Sequence, residues 1–238
     1  MSQLYRDHGV VLRTHKLGEA DRIVSVMTEG HGKVRAVAKG VRKTKSRFGS
    51  RLEPCSHVAI QLYEGRQLDT ITQAETIDHF RPIREDLDRL ARATALLEAV
   101  DQIAQEGEAN ARLYQMLVGG LRSLAAANSP LLVAAFFFKL LSLEGAHPLV
   151  DECASCGAPQ ELIGFALSEG GALCRSCTDG RGRYVSAEAM DLVRTILGGG
   201  VSRALAIPPS GVTTEVDHIA TWSLEQHVER RLKSTTVL

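Results

Sequence analysis

The chain has 238 residues, of which 44% are apolar and 24% charged, and its formal net charge at pH 7 is zero. This composition is typical of a globular protein with one or two cores, and it excludes a disordered chain and a uniformly basic nucleic-acid binder. The longest apolar run, at 131–138, is far shorter than the roughly 20 residues of a membrane span. Because the first residues contain no apolar segment typical of a secretory signal, we expect a cytoplasmic protein with no membrane partner.

The neutral average conceals a strong asymmetry of charge along the chain. Residues 1–60 contain twelve Lys or Arg against five acidic residues, a net of +7, and the remaining residues therefore sum to −7. Such a difference between two parts of a chain is typical of a polyanion-binding segment joined to an acidic body.

Residues 1–80 are predicted to form five short strands, because five runs rich in β-branched residues are separated by turn residues. The runs lie at 10–13, 23–28, 33–38, 58–63 and 68–72. Gly30-His31-Gly32 and Glu64-Gly65-Arg66 are typical hairpin turns between neighbouring runs. Five short strands in about seventy residues favour a small barrel, and the OB-fold is the common oligonucleotide-binding barrel of that size.

Residues 81–238 are predicted to form a helical domain. Apolar residues recur at intervals of three and four, which predicts helices at about 82–101, 109–127, 130–144, 186–198 and 214–231. A four-cysteine module at about 150–184 interrupts this pattern. The predicted fold is therefore α+β, with an N-terminal OB-fold barrel followed by a helical domain that contains an inserted metal module.

The four cysteines of this module have the spacing of a structural zinc site. Two Cys-x-x-Cys pairs, separated by seventeen residues, place four sulfurs where they can surround one tetrahedral cation: Cys153, Cys156, Cys174 and Cys177. Four thiolates leave no open position, so we expect one structural zinc ion per chain. The alternatives are two disulfides, which need an oxidising compartment, and a redox dithiol, which leaves the other pair unexplained. Cys55 stands alone and is predicted to be a small buried residue.

A basic segment follows the third predicted strand. Eight cations in this region are candidate DNA-binding residues: Lys33, Arg35, Lys39, Arg42, Lys43, Lys45, Arg47 and Arg51. Alternation along the strand places the first three on one face, where they can join the loop in a continuous surface for phosphates. Phe48 is a candidate to stack on a base. The alternative is a solvated charged loop without a ligand.

Searches for catalytic motifs fail. Gly30-His31-Gly32-Lys33 lacks the first glycine and the final Ser or Thr of a phosphate-binding loop, and no zinc-protease or serine-hydrolase motif occurs. We therefore expect a protein that is not an enzyme.

Several ordered motifs resemble the N-terminal signature of the RecO family of bacterial recombination mediators. They lie at 9–13, 18–24, 28–33, 38–42 and 46–49, and the helical body with four cysteines is similar to the zinc-bearing members of that family. The resemblance implies an OB-fold that binds single- and double-stranded DNA and anneals complementary strands.

The same resemblance implies a role in DNA repair and recombination through the RecF pathway. The expected partners are RecR, single-strand-binding protein and, indirectly, RecA, because the protein is expected to help RecR to load RecA onto DNA covered by single-strand-binding protein. The expected location is the bacterial cytoplasm, in association with the nucleoid. The alternative function is a zinc-ribbon factor that acts on RNA, or a metal-dependent enzyme whose site is not recognisable.

Overall fold

The computed structural model describes residues 3–234, which divide after Ala126 into two compact units. The domain division at residue 80, expected from the sequence, stays a prediction. The outermost residues of the predicted ranges, 1–2 and 235–238, lie outside the described part of the chain.

The first unit begins with five strands that close into a barrel, in the order β1-β2-β3-β5-β4. Neighbouring strands are antiparallel except β3 and β5, which pair in parallel over a short stretch. This confirms the predicted OB-like barrel, although the first and last strands extend beyond the predicted runs. The bounds are β1 Leu4–Leu17, β2 Asp21–Thr28, β3 Gly32–Ala38, β4 His57–Tyr63 and β5 Asp69–Asp78.

The barrel interior is filled by alternate residues of the strands. Along β3, Val34, Ala36 and Ala38 point inward, whereas Lys33 and Arg35 are only partly buried on the outer face. Small and β-branched side chains dominate this interior because the space inside a five-stranded barrel is narrow. Phe48 and Leu52 of the β3–β4 connection complete the same core.

Three helices complete the first unit: α1 Arg81–Arg84, α2 Leu87–Ile103 and α3 Ala111–Ala126. The first predicted helix, at about 82–101, is therefore divided in two. The division occurs at Asp86, which has extended backbone and accepts a hydrogen bond from the Arg89 amide as the N-cap of α2. Buried His57 of the barrel and Tyr114 of α3 are joined by a 2.8 Å hydrogen bond between Nε2 and the hydroxyl oxygen.

The second unit contains the remaining helices and a three-stranded sheet of order β7-β6-β8. Helix α4 is buried along most of its length, as its apolar sequence predicts, and the last long helix begins at the N-cap Ser210, a few residues earlier than predicted. None of the described helices is long and apolar enough to cross a membrane. The bounds are α4 Leu132–Leu143, β6 Leu162–Ala166, β7 Gly171–Cys174, α5 Arg175–Thr178, β8 Arg183–Tyr184, α6 Ala187–Leu197, α7 Val201–Leu205 and α8 Gly211–His227.

Candidate metal centre and nucleic-acid interface

Two tight turns position the four cysteines of the module. The first turn is closed by hydrogen bonds from the Gly157 amide to the Cys153 carbonyl and from the Cys153 amide to the Ala158 carbonyl, both 2.8 Å long. Gly157 has a φ of +75°, a left-handed conformation that glycine adopts without strain. The second turn begins where β7 ends at Cys174 and continues into the one-turn helix α5, which contains Cys177.

The four sulfur atoms converge on one point. All lie within 4.8 Å of one another, and the Sγ atoms of Cys156 and Cys174 are 3.7 Å apart. Zn–S bonds of about 2.3 Å in a tetrahedron place sulfurs about 3.8 Å apart, whereas a disulfide needs about 2.05 Å. The donor set and its geometry therefore fit a tetrahedral metal ion, and no pair is arranged as a disulfide.

The surroundings of two of these thiols favour the thiolate, which is the form that binds metals. Cys153 is buried, and burial opposes ionisation. Hydrogen bonds from the backbone amides of Cys174, Cys156 and Ser155 outweigh it and lower the pKa of the Cys153 thiol to about 6. The pKa of Cys174 is also lowered, chiefly because the Ser176 hydroxyl lies 3.2 Å from its sulfur.

Cys55 lies apart from these four cysteines, in the first unit. It is buried in the first unit, as predicted, and burial raises the pKa of its thiol to about 11. A neutral, buried thiol of this kind behaves as a small apolar side chain.

The basic segment at 39–56 is an ordered connection between β3 and β4. Its backbone is held against the β1–β2 turn: the Gly40 amide donates to Asp21 Oδ1 at 2.7 Å, and the Arg42 amide donates to the Ala20 carbonyl at 2.9 Å. Phe48 anchors the segment from the other side, since it is 1% exposed within the barrel core. The expectation that Phe48 stacks on a base is therefore wrong, because its ring has no exposed face.

The eight candidate cations fall into two groups that differ in their partners. Six belong to the segment and form no ion pair with any acidic residue of the described chain; we call them the loop cations: Lys39, Arg42, Lys43, Lys45, Arg47 and Arg51. Two of them, Arg42 and Arg51, donate hydrogen bonds to backbone carbonyls of the first unit. The loop cations therefore retain their positive charge without internal neutralisation.

The other two cations, on β3, already have acidic partners. Lys33 is largely buried, donates to the Asp101 carbonyl at 2.7 Å and lies 3.8 Å from the Asp101 carboxylate. Arg35 is 3.4 Å from the Glu106 carboxylate. Asp101 also pairs with Arg13 at 2.8 Å and is itself buried. The structure thus places all eight cations in the first unit but leaves only six of them without an internal counter-charge.

Asp101 lies in the last turn of α2, and Glu106 lies in the connection between α2 and α3, which runs along the start of β3. The Lys33 amide donates to the Gln105 carbonyl at 3.3 Å, and the Gly107 amide donates to the Lys33 carbonyl at 3.2 Å. Gly32 permits this approach, because a Cβ at that position would lie 1.9 Å from the Glu108 carbonyl oxygen. We call residues 104–108 the acidic strap. Sequence reasoning missed Asp101 and Glu106, and no local signal reveals them, since each is about seventy residues from its partner.

Comparison with known proteins agrees with this architecture. The family model described as recombination protein O, N terminal, matches residues 1–80, and the one described as recombination protein O, C terminal, matches residues 84–236. A protein named DNA repair protein RecO from Frankia casuarinae is 42% identical over 239 residues, which cover 99% of this chain and 98% of that relative. With both family models matched in order and a relative similar along its whole length, the chain belongs to the RecO family of DNA repair proteins.

Proposed function

We propose that the protein is a DNA-binding recombination mediator of the RecF pathway. In this proposal it anneals complementary single strands and helps RecR to load RecA onto DNA covered by single-strand-binding protein. Membership of the RecO family supports the role in DNA repair. One observation supports DNA binding most directly: the loop cations have no acidic partners among the described residues and belong to a barrel of OB-like topology.

Residues 1–80 are the proposed DNA-binding domain, and the loop cations are its main contacts with phosphate groups. Cations without internal partners gain most from a phosphate backbone, because binding releases counterions and no intramolecular ion pair has to be broken. Contacts of this kind are independent of sequence, which suits a protein that must act on any strand. Lys33 and Arg35 are proposed to contribute less, since Asp101 and Glu106 already neutralise them.

The proposed metal is one structural zinc ion per chain, held by Cys153, Cys156, Cys174 and Cys177. When bound, zinc would supply four bonds that fix the two turns of the module relative to each other. The module itself is a poor partner for nucleic acid, because residues 150–184 contain five acidic and three basic residues. This charge supports a structural role for the metal and favours the barrel over the module as the proposed DNA-binding surface.

We further propose that the protein has no catalytic activity of its own. The four sulfurs use every coordination position of a tetrahedral ion, so none is left to activate water. Purified protein should therefore show no ATP hydrolysis and no nuclease activity above background. Hydrolysis that follows the protein through purification and is abolished by one substitution of an acidic residue would contradict the proposal.

Strand annealing tests the central function. Two complementary oligonucleotides, one labelled with a donor dye and the other with an acceptor, should anneal faster with the protein than without it. A variant with Lys39, Lys43 and Lys45 replaced by alanine should lose most of this acceleration. Annealing that is equally fast with the parent protein, with the variant and without protein would refute the proposal.

The proposed partners need a separate experiment. The protein mixed with RecR should elute from a sizing column earlier than either protein alone, and RecA filaments on DNA covered by single-strand-binding protein should form faster with the mixture. Separate elution and unchanged filament formation would remove RecR from the proposal but leave DNA binding intact.

A further inference from the structure

We propose that Arg47 is a base-stacking residue, whose planar guanidinium group packs on one unpaired base of single-stranded DNA. This inference rests on the proposed DNA binding of the first unit. It predicts that this one side chain gives the protein a preference for unpaired strands over duplex, which phosphate contacts alone do not provide.

The position of Arg47 above a buried ring is the first observation. Its Cζ atom lies 4.8 Å from the centroid of the Phe48 ring, within the range of a cation–π contact, and Phe48 is buried in the barrel core. The guanidinium group therefore lies over a fixed aromatic ring. Arg47 is itself exposed, so the side of the group away from the ring is accessible to a planar ligand.

The backbone around Arg47 is held in place by its neighbours. Arg51 donates from Nη1 to the Arg47 carbonyl at 3.0 Å and to the Phe48 carbonyl at 3.2 Å, and the Phe48 amide donates to Ser46 Oγ at 3.2 Å. A side chain that is already oriented loses little conformational freedom on binding, so less of the stacking energy is offset.

The chemistry of the guanidinium group identifies the ligand class. Arginine is planar, always charged and weakly hydrated, and it stacks on flat rings, whereas lysine is a strongly hydrated point charge. Bases of single strands offer exposed faces for such stacking, but bases of a duplex are covered by their neighbours. No acidic side chain of the described chain pairs with Arg47, so a base and its flanking phosphate have no internal competitor there.

The matched variants are Arg47→Lys and Arg183→Lys, both of which keep the charge and remove a planar stacking group. Arg183 is a suitable control because its Cζ atom lies 4.6 Å from the centroid of the Trp222 ring, in the second unit. The affinity of parent and variants is measured by fluorescence anisotropy on three probes: a single strand, the same strand with abasic sites in place of its bases, and a duplex. Each titration is repeated at several salt concentrations.

On the intact single strand, Arg47→Lys should weaken binding about five- to tenfold, near the lower end of the effect of one stacked base. Its salt dependence should be unchanged, and its affinity for the abasic strand and the duplex should equal that of the parent. Arg183→Lys should behave as the parent on all three probes.

Two results would overturn the inference. One is equal affinity of Arg47→Lys and parent for the intact strand, and the other is an equal loss on the intact strand, the abasic strand and the duplex. Thermal denaturation of each variant shows whether a uniform loss of affinity comes from unfolding. If Arg47→Lys is unfolded, the parent protein provides the test: equal affinity of the parent for the intact and the abasic strand would contradict stacking. If the parent binds no probe, the proposed DNA binding fails as well.

Discussion

The four-cysteine module and the basic segment are both short parts of the chain, but their important side chains are arranged in opposite ways. In the module, four sulfurs converge within 4.8 Å of one another. In the basic segment, the loop cations lie on an exposed connection while their backbone is held by Asp21, Ala20 and the buried Phe48. A metal site requires convergence on one ion, whereas a phosphate backbone requires cations spread along a surface.

This difference determines how much each residue contributes. Loss of one of four ligands breaks a tetrahedral site, so a single substitution in the module should have a large effect. Loss of the charge of one of six cations removes one phosphate contact from several, so the electrostatic effect of a single substitution in the basic segment should be small. Substitutions in the two regions test this contrast.

Cys174→Ser is expected to have the largest effect. It removes a buried metal ligand, and loss of a metal site is among the few changes that can cost about 4 kcal/mol, which corresponds to roughly 8 to 16 °C in the melting temperature of a protein of this size. Scanning calorimetry together with metal analysis checks this, and the parent should contain about one zinc ion per chain.

Cys55→Ala is the control for that substitution, since Cys55 is also buried but lies in the first unit. It should keep the full zinc content and lose less stability than Cys174→Ser. Zinc-free parent protein, or equal losses in the two variants, would show that the cysteine cluster does not hold a metal.

The sequence predicted the module more completely than the basic segment, and the reason is physical. Metal ligation depends on residue type and spacing, so Cys153, Cys156, Cys174 and Cys177 could be named from the chain alone. How strongly a cation binds a phosphate group depends on which charged residues lie near it in the folded structure. Nothing near Lys33 or Arg35 in the sequence indicates that Asp101 and Glu106 neutralise them.

The fold shows the same limit. The five strands and the order of the helices follow from local periodicity, and the OB-like barrel was predicted from them. The burial of Phe48 was not predicted, because an aromatic residue between basic residues and glycines has the same local pattern whether it points toward DNA or into a core. The break between α1 and α2 at Asp86 was also missed, since a cap residue within a periodic stretch resembles an exposed helical position.

Glu106→Gln is expected to strengthen DNA binding slightly. The substitution removes the negative charge 3.4 Å from Arg35 and leaves that cation available for a phosphate group. One additional phosphate contact should make the slope of log affinity against log salt steeper by about 0.7 on single strands. Binding titrations at several salt concentrations measure this slope.

Glu108→Gln is the matched control, because it removes the same charge from the same acidic strap while no described cation pairs with Glu108. It should leave the slope unchanged. If both variants steepen the slope equally, the effect comes from net charge, and Arg35 is not masked by Glu106.

The smallest expected effect is a pH dependence of stability in the first unit. Burial, reinforced by the positive charge of Arg122, lowers the pKa of His57 below its ordinary value of 6.5. Folding therefore favours the neutral imidazole, and its contribution to stability is present above pH 6.5 and is lost as pH falls from 6.5 toward the lower pKa of the folded state.

The melting temperature of the parent should therefore fall more between pH 7.5 and pH 5.5 than that of His57→Gln. His227→Gln, at an exposed position of α8, should keep the parental pH dependence. An identical pH dependence in parent and His57→Gln would exclude His57 as its source.

The most direct test of the account is the salt dependence of single-strand binding by two charge-matched triple variants. One replaces the loop cations Lys39, Lys43 and Lys45 by alanine, and the other replaces Arg112, Lys139 and Arg203, which are exposed helical residues. With four to six phosphate contacts, the parent should have a slope of roughly −3 to −4, and the loop variant should flatten it by about 2. The helical variant should have the same slope as the parent. If instead the loop variant has the slope of the parent and the helical variant has the flattened slope, the account is contradicted.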